Sequence, residues 1–386
     1  MRMLVRGLVP AVSLLIFLPF PATSQESAAP AQATSSSQNA PATPPNQTAP
    51  ASAPVVHLGP KDSHRISIDV VVTDKAGNPV PGLQQQDFTL LDGKLPQPIV
   101  TFRATEEGKD AEPIQVLFLI DAVNSGVQSV SVGREQLEKF LRRNNGQLEL
   151  PTSLVIFGDK GAEVQPVATR DGNKLAQDLD ANPSGLRSIG RSAGYYGATE
   201  RLDLSLRTLE GLIAREMKQP GRKLLIWMSP GWPLLTSARI QLTEKDQAWI
   251  FNSAVSFSKE LRDSRMTLYS IDPLGMSDAV TGRTTFWQGF VKGLPSAKKV
   301  EGGGYLALQV LAIQSGGLAL NSSNDLEKLI ASCVVDAKAY YTLSFDAPPA
   351  DRPNEYHSLE VRVDKPDLKV RTRTGYYAQP YPTTGR

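Results

Sequence analysis

Cysteine occurs once in 386 residues, at Cys333, and histidine three times, at His57, His64 and His357. A single cysteine excludes an intramolecular disulfide framework and every all-cysteine zinc or iron–sulfur site. Three histidines leave little material for metal or triad chemistry. A charge excess of either sign is lacking too, with 41 Lys and Arg against 39 Asp and Glu. Arg2 and Arg6 fall in a segment with the features of an export signal, and removing them leaves 39 of each sign. A chain so balanced has no electrostatic footprint for nucleic acid or for an anionic membrane. No apolar run reaches the roughly 20 residues that span a bilayer; Leu8 to Phe20 is about 13. What the chain does have is 40% hydrophobic against 21% charged residues, enough to fill a core and to exclude disorder throughout.

The basic start, the short apolar run and the small residues Ala22-Thr23-Ser24 predict a cleaved export signal over 1–24 and a secreted or periplasmic protein. Residues 25–58 are rich in Ala, Pro, Ser and Thr and predict a disordered linker that cannot bury enough apolar surface to offset its conformational entropy. After signal cleavage no integral membrane segment is expected.

Residues 59–106 read as strand. Ile66, Ile68, Val70 and Val72 alternate with Ser67, Asp69 and Val71, and the runs Phe88 to Leu91 and Ile99 to Phe102 follow. Residues 338–380 have the same character, with Tyr340 to Phe345, then Leu359, Val361 and Val363 in alternation, then Lys369 to Thr374 and Gly375-Tyr376-Tyr377. Neither group makes a stable two-sided sheet alone, so the spacing predicts one β-sandwich formed from both chain ends.

Between them, 112–337 alternates strand and helix. Ile114 to Ile120, Leu154 to Phe157, Lys223 to Met228 and Met266 to Ile271 are short continuous apolar runs, as in parallel strands buried on both faces. Helical stripes separate them: Leu137, Phe140 and Leu141; Leu202, Leu206, Leu209 and Ile213; the stretch Thr243 to Arg262; Leu306, Val310 and Ile313. The last stripe runs from Leu326 to Val334, with Asn324 as its predicted N-cap and Glu327 as the reciprocal partner. Cys333 lies on that stripe and is expected to be a buried structural thiol. Gly302-Gly303-Gly304 lacks the Lys of a phosphate loop and reads as a hinge before a helix. The fold class is α/β: a doubly wound, Rossmann-like layer inserted in a β-sandwich.

In such sheets ligands sit outside the carboxyl ends of the strands. Asp121-Ala122-Val123-Asn124-Ser125 follows the first buried strand, and one carboxylate with nearby hydroxyls is the donor chemistry of a hard divalent cation. In order of elements the chain resembles the von Willebrand factor type A domain. That family holds a metal ion with an Asp-x-Ser-x-Ser loop, a Thr from a later loop and an Asp after the next central strand. The resemblance implies Asp121 and Ser125 as the first and last loop ligands and Thr199, in Gly197-Ala198-Thr199, as the threonine. Val123 stands at the middle Ser, and Ser229-Pro230-Gly231 stands where the second Asp belongs, so the metal-ion-dependent adhesion site is degenerate. It requires no cofactor, and Mg2+ or Ca2+ would be held weakly by one carboxylate.

The likeness runs on through Val70 to Asp74, Gly77 to Leu83, Asp87-Phe88, Leu90 to Gly93, Gly221 to Trp227, Ser315-Gly316-Gly317, Tyr340-Tyr341 and Gly375 to Ala378. In that order these resemble the von Willebrand factor A-related proteins of the acidobacterial type. The resemblance implies an exported protein and supplies no substrate.

The strand-end loops are rich in aromatic residues: Trp232, Phe286 and Trp287, with Tyr195 and Tyr196 ahead of Thr199 and with Arg187, Arg191 and Arg283 in the same loops. Aromatic and Arg side chains anchor protein interfaces. These residues are read either as docking a protein or peptide partner or as covering the domain's own core. The expected function is a non-enzymatic protein-binding module. A metal-dependent adhesion or scaffold protein is the alternative. A serine hydrolase using Ser229 is a remote one, because Trp227 replaces the Gly of a nucleophile elbow and the chain offers no good base. The carboxylates Asp159, Asp171 and Asp272 show no spacing that marks an acid–base pair.

Overall fold

The apolar–polar alternation at the start of the folded region produces strand β1 (Arg65–Thr73), followed by β2 (Phe88–Asp92), β3 (Leu95–Gln97) and β4 (Thr101–Glu106). The alternating segment follows as β5 (Ile114–Asp121), α1 (Val127–Leu141), β6 (Gln147–Gly158), β7 (Gly161–Val164), β8 (Thr169–Asp171), α2 (Gly172–Ala181) and α3 (Gly194–Glu216). It continues with β9 (Arg222–Met228), α4 (Glu244–Asp263), β10 (Met266–Ile271), α5 (Leu308–Gln314), β11 (Ala319–Leu320) and α6 (Leu326–Val334). Strands β12 (Ala339–Asp346), β13 (Glu355–Val363), β14 (Lys369–Arg371) and β15 (Gly375–Ala378) close the chain's described part. This computed structural model describes residues 64–106, 112–182, 194–235, 242–275, 283–321, 323 and 325–381. The expected signal and the whole of the expected linker lie outside those residues, as do Arg187, Arg191 and Asn324. None of the described helices is long and apolar enough to cross a membrane.

The central sheet has the order β11-β10-β9-β5-β6-β7, with β8 also on β6. Neighbours from β11 to β6 are parallel, while β7 and β8 run antiparallel to β6. The pleat sends alternate side chains to opposite faces. Leu117, Leu119 and Trp227 pack under α3, α4 and α5, and Phe118, Ile120 and Ile226 under α1, α2 and α6. Helices therefore cover both faces, as expected of a doubly wound layer. Cys333 is fully buried on the α6 side.

Two four-stranded sheets flank that layer in sequence, β14-β1-β12-β4 and β15-β13-β2-β3. Each mixes strands from the two ends of the chain: Ile68 pairs with Leu343, and Leu90 with Val361. One apolar cluster containing Ile68, Val70, Leu90, Leu343, Phe345, Val361 and Tyr376 is shared between them. Tyrosine hydroxyls add polar latches between distant segments. The Tyr341 hydroxyl donates to the Val80 carbonyl (2.6 Å) and accepts from the Leu83 amide (3.1 Å), and the Tyr376 hydroxyl donates to Asp92 Oδ2 (2.7 Å).

Several local expectations change. The predicted strand Ile99 to Phe102 begins at Thr101 instead, although the Val100 amide still donates to the Ser344 carbonyl (2.8 Å). The N-cap of α6 is Asp325, whose Oδ1 accepts from the Lys328 amide (3.0 Å), rather than Asn324. The glycine run before α5 is not a hinge but a close-packed contact: a Cβ on Gly304 would lie 2.5 Å from the Phe290 ring. Elements β3, β7, β8, β11 and α2 carry no sequence signal, since two to four residues do not establish a period and α2 has only Leu175, Ala176 and Leu179 on its buried face.

The motif Gly221 to Trp227 acquires a structural meaning. Gly221 has φ of 84° and lies against the Pro113 carbonyl, where a Cβ would come within 1.9 Å of the oxygen, so only glycine serves. Arg222, 2% exposed, turns out of the parallel sheet towards the antiparallel one. Its Nη1 donates to the Asp336 carbonyl (3.1 Å), its guanidinium lies over the Tyr340 ring (4.5 Å) and its Nε is 3.7 Å from Asp69 Oδ2. Asp69 Oδ1 also accepts from Arg265 Nη2 (2.8 Å) and Thr342 Oγ1 (2.9 Å), and Arg265 pairs with Glu112. Beside it, Asp336 accepts from the Tyr269 hydroxyl (2.7 Å) and from Arg371.

Burial pushes the Asp69 carboxyl up, but Arg222 and Arg265 outweigh it and hold it below its ordinary value of 3.8. A carboxyl depressed in the fold contributes stability that is present above its unfolded value and is lost as pH falls through the folded one. Asp69→Ala is therefore expected to lower unfolding free energy by about 3–5 kcal/mol at neutral pH, by leaving buried guanidinium unpaired. The variant should also lose part of the wild-type decline below pH about 4. Urea midpoints across pH measure both, and an unchanged acid limb would remove Asp69 from the account.

Candidate functional site

Asp121 is the last residue of β5, and the chain turns from it into α1. It is 0% exposed, and its oxygens are turned to the chain's own donors. Oδ1 accepts from the amides of Val123 (2.9 Å) and Asn124 (2.8 Å), closing the loop onto the strand end. Oδ2 accepts from Asn124 Nδ2 (2.8 Å) and Trp227 Nε1 (2.9 Å), and the Ser229 hydroxyl adds a further bond. Burial pushes the carboxyl above its ordinary value, while the bonds from Asn124 and Trp227 pull it back.

Asn124 is the hub of the loop. Its Nδ2 also donates to Ser205 Oγ (2.9 Å), and Ser205 in turn donates to the Arg201 carbonyl (2.7 Å) within α3. Ser205, rather than Thr199, is thus the α3 residue bonded to the Asp121 loop. Thr199 lies six residues earlier, about 9 Å along the helix at 1.5 Å per residue. Its hydroxyl donates to the Tyr195 carbonyl of its own helix (3.0 Å), and its side chain is exposed. Ser125 is close to Asp121 in the loop but is not bonded to it; Ser125 Oγ, Asn124 Oδ1 and Ser129 Oγ are buried without a hydrogen-bond partner. Among the described residues no three His, Cys, Asp or Glu side chains gather as a metal-holding group.

The aromatic residues fall into two sets. Trp232 is 3% exposed and its ring meets that of Trp227 at 5.0 Å, edge to face, and Phe157 also meets Trp227 edge to face, at 5.6 Å. Trp287 is buried against Ala307 and Val310. Both tryptophans therefore cover the domain's own core and do not present a surface. Phe286 is half exposed, and Tyr195 and Tyr196 are 53% and 84% exposed on the first turn of α3.

Ser229 is fully buried, and its Oγ accepts from the Gly231 amide (3.1 Å). His357 lies in the antiparallel sheets, its Nδ1 2.9 Å from Asp92, and His64 stacks on Tyr381 at 3.9 Å; neither accompanies Ser229, and His57 lies outside the described residues. Asp171 caps α2, accepting from the Lys174 amide (2.9 Å), and Asp272 Oδ1 accepts from the Leu274 amide (3.0 Å). Nothing in the sequence pattern marked Asn124, Ser205 or Trp227 as members of this network. The one available signal was Trp227 itself, an indole donor within an otherwise apolar buried strand, which requires an acceptor inside.

No family model and no curated protein matches the chain. Among solved structures it is similar to the pilus adhesin SpaC from Lactobacillus rhamnosus GG, at 8% identity and TM-score 0.34 over 84% of this chain and 49% of that one. It is also similar to the D319A mutant of the PilB minor pilin from Streptococcus sanguinis, at 10% identity and TM-score 0.31 over 60% of this chain and 63% of the pilin. A third is the manganese-loaded TRAP protein of Plasmodium vivax, at 11% identity and TM-score 0.28 over 72% and 98%. The chain thus spans less than two thirds of the first two proteins. These scores are too low for the likenesses to carry any argument about this chain.

Because Trp232 and Trp287 are core residues, replacing either by Ala is expected to cost about 3–5 kcal/mol in chemical denaturation. Trp227→Phe, which keeps a ring but removes the donor to Asp121, is expected to cost about 1–3 kcal/mol. Tryptophan variants with wild-type midpoints would show instead that these rings belong to the surface.

Proposed function

We propose that this chain is an exported, non-enzymatic binding module with a von Willebrand A-type layer inserted in a β-sandwich, secreted or periplasmic, and that it takes a protein or peptide partner. The observation that carries the proposal is the projection of α3. Ser205 marks the level of the Asp121 loop, and Tyr195 stands ten residues earlier, about 15 Å farther along the helix axis. Tyr195 and Tyr196 are thereby offered to solvent, with their rings 6.1 Å apart. Tyrosine is a frequent interface anchor, because a large rigid ring is immobilised at low entropic cost. Trp232 and Trp287 are buried in core clusters, and the residues proposed to reach the partner are Tyr195, Tyr196 and Phe286.

The alternative, a bridge through Mg2+ or Ca2+ at Asp121, Ser125 and Thr199, draws on one observation, the unpartnered Ser125 Oγ and Asn124 Oδ1. Hard dications take six or more oxygens, often from carboxylates. Asp121 brings the site one carboxylate, both of whose oxygens already accept from neighbouring donors, and the Thr199 hydroxyl is turned to its own helix. These residues do not fit the ion, and the proposed recognition is metal-independent.

The test is retention of envelope proteins on the immobilised mature chain, comparing wild type with Tyr195→Ser/Tyr196→Ser. The double variant is expected to unfold within about 0.5 kcal/mol of wild type, as exposed substitutions do, and to lose the specifically retained protein. A chelator should leave wild-type retention unchanged. Equal retention by the double variant would end the reading.

A further inference from the structure

Away from the strand ends, a cavity of about 280 Å³ lies between β1 and the C-terminal end of α4. Its lining includes four guanidinium groups, Arg65, Arg262, Arg265 and Arg373, and two carboxylates, Asp69 and Asp263. Three of the arginines are matched by acids. Arg65 Nε pairs with Asp346 (2.9 Å), Arg265 with Asp69 (2.8 Å) and Glu112, and Arg262 with its neighbour Asp263 (3.2 Å).

Arg373 is different. It is 7% exposed, and its one hydrogen bond among the described residues runs from Nη1 to the Ser258 carbonyl (3.2 Å). A guanidinium has five N–H donors, so most of its capacity is unused by protein acceptors. Buried arginine ordinarily comes with a carboxylate, since the desolvated charge is otherwise uncompensated. Here burial, reinforced by the charge of Arg262 and only partly offset by Asp69 and Asp263, pushes its pKa down to about 9.

We propose that this cavity is an anion site, taking a small oxyanion of the phosphate or sulfate class between Arg373 and Arg262. Guanidinium groups match tetrahedral oxyanions through paired N–H donors, and charge-assisted bonds of this kind are roughly twice as strong as neutral ones. The volume suffices, because one water takes about 30 Å³ in the liquid and a tetrahedral oxyanion is only a few times larger. Arg373 follows β14 in the antiparallel sheet, and Arg262 belongs to α4 of the doubly wound layer. A bound anion would therefore join the two parts of the fold and stabilise both. This assignment is independent of the Tyr195–Tyr196 surface.

The experiment is thermal unfolding and calorimetry of the mature chain with sodium phosphate and with sodium sulfate, each against sodium chloride at equal ionic strength. Wild type is expected to show a saturable rise in Tm and a saturable heat with at least one of the two oxyanions. Arg373→Met should raise the Tm measured in chloride, by removing a buried charge that Asp69 and Asp263 only partly offset, and should abolish the oxyanion response. Arg262→Gln, at a partly exposed side chain that leaves the fold intact, should weaken the response about tenfold, the loss of one charge-assisted bond. Arg207→Met, on the exposed face of α3, should leave it at the wild-type level. A wild-type response no larger than that to chloride would overturn the proposal, as would one that survives unchanged in both Arg373→Met and Arg262→Gln.

Discussion

Every residue of β9 is buried, and a strand in that position needs internal partners for the polar side chains it carries. It carries three. At its start Arg222 leaves the parallel sheet for the Asp336 carbonyl, the Tyr340 ring and the Asp69 carboxylate. Next to it Lys223 Nζ donates to the carbonyls of Gln219 and Ser264, while burial pulls its pKa down. Near its end the indole of Trp227 donates to Asp121. The first of these joins the parallel layer to strands from both chain ends, and the last determines how the neighbouring strand end is organised. Satisfying one buried strand therefore shapes both the seam of the molecule and its candidate site.

That requirement explains the character of the strand-end face. An aspartate at the end of a central parallel strand stands where ligands of open α/β sheets bind. Here its oxygens are turned inward, taken by the loop amides, by Asn124 and by an indole from the next strand. A carboxylate so placed organises the loop, which in turn holds α3 through Ser205. Among the described residues, the rings of Tyr195 and Tyr196 stand exposed at the start of α3. Trp232 and Trp287 are buried in the core instead, and the edge contact of Trp232 with Trp227 ties that packing to β9.

The strands and helices with long, regular patterns were legible in the sequence. The apolar run Ile114 to Ile120 became β5, the stripe from Leu202 to Ile213 became part of α3, and the stretch Thr243 to Arg262 became α4, which starts one residue later because Thr243 caps it. Pairing of strands from opposite chain ends followed from the fact that neither group completes a sheet alone. What escaped was short or shape-dependent. Strand β11 has two residues, and α6 takes Asp325 as its cap one position after the expected residue. At the site, Asp121 was recognised as a strand-end carboxylate, but its direction was not, because that depends on Trp227, 106 positions away. Trp232 and Phe286 look alike as loop aromatics, and only packing separates the buried ring from the exposed one.

The central claim is that Asp121 serves the fold rather than a cation. Crystals of the mature chain grown with manganese test it directly, through the anomalous difference map around the β5 end. The claim predicts no peak there, with Trp227 Nε1 and Asn124 Nδ2 still bonded to Asp121 Oδ2. A manganese peak coordinated by Asp121, with those two donors displaced, would contradict it.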